Sequence, residues 1–257
     1  MAHHGEPTNY ADTGWWRDHF SGILLDLWQS ILPAEQATKD ADFLEANWKL
    51  PPTAQILDVP CGEGRVALEL ARRGFRLVGI DISAGLIQAA RRQSEQRQLP
   101  IEWQVGDMRA LPWQAAFDAA YCWGDSFGYL DEQGNQSFLQ AVQRALRPAG
   151  WWAMEMQMVA EVLLPRFRPE EVGEVDGIRL RVRRNYDPRQ GRLAVEYLLN
   201  RGGVEERREA SYRVYSCAEV CGRLEQACFE IVDLLGGTGE AFQLGADRLR
   251  IVGRKRF

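Results

Sequence analysis

Short apolar runs alternate with stretches of helical periodicity through the middle of the chain. The runs that predict strands are residues 56–59, 76–80, 101–105, 117–122 and 151–156. Between these runs, apolar side chains such as Val66, Ala67 and Leu70 recur every three or four residues, which predicts helices. Strands that alternate with helices form a parallel sheet covered on both faces. The pattern therefore predicts a doubly wound α/β fold.

The two ends of the chain follow other patterns. Apolar residues between Phe20 and Leu27 fall on one helical face, so a helical cap is expected before the first strand. After residue 173, apolar and polar side chains alternate strictly between turns, which predicts an antiparallel meander. Ser216 and Glu219 have the spacing of a capping box and should open the last helix, before strands at 229–235 and 248–253.

No repeat, low-complexity tract or Pro/Gly/Ser-rich linker divides the chain, so we predict one domain over residues 1–257. Its expected parts are a helical cap (1–50), a core (51–157), an antiparallel β insertion (173–215), and the last helix and strands of the core (216–257). An insertion just before the last core strands is a candidate lid over a binding site.

Composition narrows the function classes. The net charge of −5 gives no basic footprint for nucleic acid, and no apolar run approaches the ~20 residues of a membrane span. Residues 1–10 lack the apolar core of a signal peptide, and five cysteines argue against a disulfide framework. We therefore expect a cytoplasmic protein with neither nucleic-acid nor membrane partners, whose oligomeric state stays open.

Glycines and acids follow the predicted strands, at the edge where ligands bind in such sheets. After the first strand, Gly62 and Gly64 would let a ligand lie against the backbone and the following helix N-terminus. Asp81, at the end of the second strand, is placed to accept hydrogen bonds from ribose hydroxyls. A plain turn and a helix-capping acid are the structural alternatives. The spacing through Ala67 also satisfies the dinucleotide fingerprint, so NAD stays open at this point.

Five segments in chain order resemble the motifs of class I S-adenosylmethionine-dependent methyltransferases, in their small-molecule branch. The segments are residues 57–65, 79–83, 106–112, 117–120 and 146–150. The resemblance covers nearly the whole chain and implies a Rossmann-like sheet, S-adenosyl-L-methionine as the methyl donor and S-adenosyl-L-homocysteine as the product. Pro60 and Ala149 stand where the family more often has glycine.

The resemblance also implies which residues bind the cofactor. They are Asp58, Cys61, Gly62, Gly64, Asp81, Ile82, Asp107, Met108 and Cys122. The two glycines would face the methionine part, and Asp58 would lie buried beneath their loop. Asp81 would hold the ribose, Asp107 would accept from the adenine amine, and the Met108 backbone would contact the ring. The Cys122 backbone would lie near the methionine amino group.

The acceptor side is predicted from position alone. Methyl transfer from a sulfonium needs positioning and a dry site, and it needs a general base only if the acceptor arrives protonated. Asp125 is the candidate catalytic base, and its alternative role is to bind backbone N–H groups. His19 is more typical of a packing or surface residue. The expected substrate contacts are Trp16, Trp123, Tyr129, Glu155 and Arg213.

Three function classes follow. The first is a methyltransferase acting on oxygen, nitrogen or carbon of a small molecule; the second is an NAD-dependent oxidoreductase; the third is a non-catalytic binding protein that retains the fold. No Tyr-x-x-x-Lys pair supports the second, and intact strand-end acids argue against the third. Cys217, Cys221 and Cys228 recur at helical spacing without a nearby histidine, so no metal site is expected.

Overall fold

The computed structural model describes residues 14–256, which form two β-sheets and surrounding helices. The strands are β1 (Gln55–Asp58), β2 (Arg76–Asp81), β3 (Glu102–Val105), β4 (Phe117–Cys122), β5 (Leu146–Met156), β6 (Glu170–Val175), β7 (Ile178–Asp187), β8 (Arg192–Arg201), β9 (Val204–Arg213), β10 (Phe229–Leu235) and β11 (Leu249–Lys255). The helices are α1 (Gly22–Ile31), α2 (Ala34–Trp48), α3 (Arg65–Arg72), α4 (Ala84–Gln96), α5 (Glu132–Ala145), α6 (Ala160–Leu163) and α7 (Cys217–Gln226). Residues 1–13 of the predicted cap lie outside the described range.

The larger sheet has the order β10-β11-β5-β4-β1-β2-β3. Within this sheet, the chain enters at β1 and moves outward through β2 to β3. It then returns to place β4 on the other side of β1. These pairs are parallel, so the predicted doubly wound α/β fold is confirmed. The strand order reverses at β1, and a binding crevice is expected beyond the carboxyl ends of the strands there.

One strand of this sheet runs against the others. Strand β11 pairs antiparallel with both β5 and β10, and the connection between β10 and β11, residues 236–248, contains no helix. The apolar pattern predicted both strands, yet such a pattern carries no sign of strand direction. The capping box at Ser216 and Glu219 is present and opens α7 as predicted.

The smaller sheet is the antiparallel β6-β7-β8-β9, and the strict alternation of its sequence predicted the last three strands. Strand β6 was missed, and the sheet begins at residue 170 instead of 173. Five of its six residues are exposed, so this edge strand shows no alternation between an inner and an outer face. Backbone pairing with β7 holds it in place.

The inner face of the smaller sheet packs on the N-terminal helices. Ile23, Leu24 and Leu27 of α1 share one buried cluster with apolar residues of β7, β8 and β9. Glu206 of β9 also accepts hydrogen bonds from the first free N–H groups of α1, from Ile23 at 3.0 Å and from Leu24 at 3.3 Å. The cap and the insertion therefore form one packed unit. Among residues 14–256, no helix is long and apolar enough to cross a membrane.

Candidate functional site

A small pocket lies beyond the carboxyl ends of β1, β2 and β3, and we call it the strand-end pocket. Its lining residues are Trp16, Phe20, Pro60, Asp81, Ile82, Gly106, Asp107, Met108, Ser126, Tyr129 and Leu130. Every strand end that the sequence marked with a glycine or an acid contributes to this pocket or to the turn beside it. The pocket therefore lies where the strand order predicts a crevice.

Two glycines shape the turn between β1 and α3 for different reasons. Gly64 has φ +75°, and an added Cβ would lie 2.1 Å from Cη2 of Trp103, so packing behind the turn requires a glycine. Gly62 has φ +54°, and an added Cβ would meet no atom within 4 Å. Gly62 thus leaves an open face beside the N-terminus of α3, which a ligand could use.

The carboxylate of Asp81 is buried and held by the backbone of two turns. One oxygen accepts from the N–H of Gly62 at 2.9 Å, and the other accepts from the N–H of Ser83 at 2.9 Å. Burial raises the pKa of Asp81 above its ordinary value, although these N–H donors oppose the shift. A carboxylate has about four lone-pair sites, so Asp81 can still accept from hydroxyls in the pocket.

Asp107 lies in the turn after β3 and is paired with Arg109. The Nε of Arg109 donates to Asp107 at 3.0 Å, and the Arg109 backbone N–H donates at 2.9 Å. The Arg109 guanidinium holds the pKa of Asp107 below its ordinary value, so the side chain is a charged acceptor near neutral pH. Met108 lies next to it and is mostly buried, giving the pocket an apolar surface beside this acceptor.

Three other predicted cofactor residues lie behind the pocket rather than in its lining. Asp58 is 3% exposed, and burial raises its pKa to about 8. The thiols of Cys61 and Cys122 are buried in the two core clusters on either side of the sheet, and burial raises both pKa values. Direct contact with a ligand at Cys61 and Cys122 would therefore involve their backbone atoms.

Aromatic side chains from the cap and from the segment between β4 and α5 cover the pocket. Trp16, Phe20 and Tyr129 line it, and Trp15 packs against Tyr129 at a ring-centroid distance of 4.9 Å. The cavity that remains is about 50 Å³, little more than the ~30 Å³ that one water takes in the liquid. His19 is buried behind Phe20, and burial lowers its pKa to about 4, so it is a neutral packing residue near pH 7.

The candidate base, Asp125, follows β4 in a left-handed backbone conformation with φ +67°. One of its oxygens accepts from the N–H groups of Gln157 and Met158, the latter at 2.8 Å. Burial raises its pKa to about 6. Asp125 therefore binds backbone N–H groups, one of the two roles weighed from the sequence, and its role as a catalytic base stays a prediction.

Two predicted substrate contacts, Glu155 and Trp123, do not line the strand-end pocket. Glu155 is 5% exposed, and its Oε2 accepts from Arg250 at 2.8 Å and from Arg248 at 3.2 Å. Trp123 is buried on the other side of the sheet, where the Arg250 guanidinium stacks on its ring. Both belong to a structural network, because Arg250 also pairs with the fully buried Asp40 at 2.9 Å.

Arg213, another predicted substrate contact, is paired with two acids. Its guanidinium pairs with Glu132 at 2.7 Å and with Glu219 at 2.9 Å, and it stacks on the ring of Tyr215. These partners belong to α5, to α7 and to the residues before it. Arg213 therefore fastens the end of the insertion to the core helices and does not line the strand-end pocket.

Sequence reasoning missed several residues of the site. Pro60, Ser126 and Leu130 line the pocket, and each follows a strand end by two to eight positions, so position alone was a usable signal. The Asp40–Arg250 pair joins positions 210 residues apart, and nothing local marks it. Among residues 14–256, no group of three or more His, Cys, Asp or Glu side chains could hold a metal ion.

Comparison with known protein families identifies the core. Residues 56–150 match the family described as a methyltransferase domain. A putative methyltransferase of Bacillus subtilis, YqeM, is 34% identical over 134 residues, which is 51% of each chain. The chain thus spans about half the length of the curated relatives it matches. The family match over residues 56–150 runs from β1 to β4 and includes the turns after them, which supply most of the lining of the strand-end pocket.

Solved structures share the fold over almost the whole chain. The CcbJ methyltransferase of Streptomyces caelestis has a TM-score of 0.80 at 16% identity, covering 94% of this chain and 99% of that one. CalS10 of Micromonospora echinaspora, described as an amino pentose methyltransferase and solved with S-adenosylmethionine bound, has a TM-score of 0.67 at 19% identity, covering 93% and 98%. At these identities the likeness concerns the fold, including the antiparallel insertion.

Proposed function

We propose that the chain is a class I S-adenosylmethionine-dependent methyltransferase and that it transfers a methyl group from S-adenosylmethionine to a small molecule, because residues 56–150 match a methyltransferase domain. The observation that carries this proposal is that Asp81 and Asp107 line one pocket, while Gly62, in the turn beside it, donates its N–H to Asp81. These groups suit a nucleoside. Asp81 can accept hydrogen bonds from ribose hydroxyls, Asp107 can accept from an amine, and the glycine turn leaves backbone accessible to a ligand.

The donor set of the strand-end pocket suits the parts of this cofactor. Asp81 would accept from the ribose hydroxyls, and Asp107 would accept from the adenine amine. Ile82, Met108 and Leu130 offer apolar surface to a flat base, and the open face of Gly62 would take the methionine part. Trp16 and Phe20 cover this cavity of about 50 Å³, so we infer that they move outward when the cofactor enters.

The chain's own contribution to the reaction is positioning. When bound, the cofactor supplies a sulfonium-activated methyl group: the acceptor's lone pair forms a bond to the methyl carbon while the carbon–sulfur bond breaks and the sulfur keeps the electron pair. The protein's main task is then to hold the acceptor in line and to exclude water. Trp16, Phe20 and Tyr129, which line the pocket, would exclude water. Asp125 holds the segment after β5 in place.

A small-molecule acceptor has two supports. The net charge of −5 leaves no broad basic surface for a nucleic acid. A structural neighbour that covers nearly the same elements is described as acting on an amino pentose. We also infer that the enzyme works in the cytoplasm, where free cysteines such as its five are kept reduced.

A calorimetric titration of the purified protein with S-adenosylmethionine, S-adenosylhomocysteine and NAD tests the proposal. We expect micromolar binding of the first two ligands and none of NAD. Tight NAD binding would point to the oxidoreductase class instead. Silence toward all three, in a sample shown to be folded, would contradict the proposal and favour a non-catalytic protein. Binding of the expected pair would justify acceptor screening with a labelled methyl donor.

A further inference from the structure

We propose that a second cavity, between the insertion and the carboxyl end of β5, binds the anionic group of an acidic small molecule. We call it the arginine pocket. Its lining residues are Gln157, Met158, Val162, Leu163, Pro165, Arg166, Phe167, Arg168, Glu171, Arg184 and Asp247. The inference rests on the proposed function in one respect: it takes this molecule to be the methyl acceptor.

The position of the arginine pocket connects it to the proposed reaction site. Gln157 and Met158 directly follow β5, which pairs with β4 up to Cys122 opposite Met154. Asp125, just after β4, accepts from the backbone N–H groups of Gln157 and Met158. Neighbouring strands lie about 4.8 Å apart, so the pocket wall begins one strand away from the end of β4. In the strand order, the arginine pocket therefore lies on the β5 side of β4, whereas Asp107 follows β3 at the opposite edge of the sheet.

The charges in the arginine pocket are not balanced. Both acids already have partners, since Glu171 pairs with Arg184 at 3.1 Å and Asp247 pairs with Arg248 at 3.0 Å. Within residues 14–256, no carboxylate lies within 4.0 Å of the guanidinium of Arg166 or of Arg168. A guanidinium presents forked donors that match the oxygens of a carboxylate or a phosphate. The pocket therefore has two cationic groups with donors to spare.

The volume and the apolar lining of the arginine pocket indicate the size and polarity of the rest of the ligand. The cavity measures about 630 Å³, within the ~300–1,000 Å³ typical of small-molecule sites. Val162 is buried at its floor, and Met158, Leu163 and Phe167 add partly exposed apolar surface. This combination suits a molecule with an apolar or ring-shaped body and a carboxylate or phosphate group.

Ligand-observed NMR titrations test the inference with three matched probes: phenyl phosphate, benzoate and neutral benzyl alcohol. The protein carries S-adenosylhomocysteine, whose binding is measured first. We expect at least one anion to bind about tenfold more tightly than the alcohol, because it gains charge-assisted hydrogen bonds. Binding of phenyl phosphate alone would indicate a phosphoryl group, and binding of benzoate alone would indicate a carboxylate.

Two double variants separate the arginine pocket from general surface charge. Arg166→Gln with Arg168→Gln should weaken anion binding about tenfold and leave S-adenosylhomocysteine binding unchanged. Arg179→Gln with Arg181→Gln removes the same charge from exposed positions of β7 outside the pocket, and should change anion binding less than about twofold.

Several results would overturn the inference. The alcohol could bind as tightly as both anions, no anion could bind, or the two double variants could weaken anion binding equally. If S-adenosylhomocysteine still binds in those cases, only this inference fails. If the unmodified protein does not bind S-adenosylhomocysteine, the proposed function fails as well.

Discussion

Two groups of buried carboxylates in this molecule are satisfied in opposite ways. Asp81 accepts hydrogen bonds from backbone N–H groups of Gly62 and Ser83, which belong to turns formed by neighbouring strand ends. Asp40 and Glu155 instead meet the guanidinium of Arg250, which reaches them from the last strand of the sheet. All four of these charged side chains are almost completely buried.

The difference separates a binding site from a structural network. Backbone donors leave the Asp81 carboxylate facing the strand-end pocket, with lone pairs still open to a ligand. The guanidiniums of Arg250 and Arg65 enclose Asp40, which is fully buried and lines neither the strand-end pocket nor the arginine pocket. Burial of a charged group is therefore a weak sign of function by itself. The identity of its donors and the access to its remaining lone pairs are better signs.

The largest effect is expected from breaking the structural network. Arg250→Met should lower the free energy of unfolding by about 3–5 kcal/mol, because Asp40 and Glu155 lose a buried charged partner. Urea denaturation measures this loss. The control Arg254→Met changes the same strand at an exposed residue that stacks on Trp151, and should cost less than about 1 kcal/mol. Equal losses in the two variants would refute the structural role of the network.

A second test compares the two glycines of the β1–α3 turn. Gly64→Ala should lower the free energy of unfolding by about 2–4 kcal/mol, since its Cβ collides with Trp103 in a left-handed conformation. Gly62→Ala meets no neighbour and should cost about 1–2 kcal/mol from its positive φ alone. Urea denaturation gives both values. A larger loss at Gly62 than at Gly64 would contradict this reading of the turn.

A third test addresses the ligand-facing carboxylate. Asp81→Asn should weaken binding of S-adenosylhomocysteine by about 1–3 kcal/mol, because a charged acceptor for the ribose hydroxyls is lost. Calorimetric titration measures the affinity, with Glu102→Gln, an exposed change on β3, as the control. Unchanged affinity in Asp81→Asn would show that the ribose assignment is wrong.

The smallest effect is expected at Asp125, a second carboxylate held by backbone N–H groups. Asp125→Asn keeps an oxygen acceptor for Gln157 and Met158, so it should cost less than about 1 kcal/mol at pH 7.5. The folded state raises the pKa of Asp125 from 3.8 to about 6 and so binds its proton more tightly than the unfolded chain. The stability this gives is present below pH 3.8 and is lost as the pH rises through 6.

The cost of Asp125→Asn should therefore be larger at pH 4.5 than at pH 7.5. Urea denaturation at the two pH values measures the difference. A cost that grows with rising pH would contradict the raised pKa of Asp125. Abolished methyl transfer in a folded, cofactor-binding variant would support Asp125 as the catalytic base.

Local sequence patterns predicted the parts of this protein that are local in structure. Apolar runs predicted β1, β2 and β4 to within a residue, because a buried strand needs a continuous apolar stretch. The bounds of β10, an edge strand in which only Phe229 is buried, were also predicted correctly. The turn glycines and Asp81 lie after those strands as predicted, and their roles in binding a cofactor stay predictions. The capping box of α7 was read from two residues three positions apart.

The features that were missed depend on distant partners. Strand β6 is exposed on both faces, so only its pairing with β7 marks it. The sequence placed Glu155 beside the cleft, since nothing near it in the chain reveals Arg250, which comes from another strand. Arg213, at the end of β9, was placed near the cleft for the same reason. Its partners Glu132 and Glu219 belong to α5 and α7. Which charged groups meet is decided by tertiary packing.

The most direct test of the central claim is a crystal structure of the protein grown with S-adenosylhomocysteine. We predict that both ribose hydroxyls lie within hydrogen-bond distance of the Asp81 carboxylate, with the adenine beside Asp107 and Met108, and with Trp16 and Phe20 displaced outward. Density for the ligand at another place, with Asp81 bonded only to Gly62 and Ser83, would contradict the account.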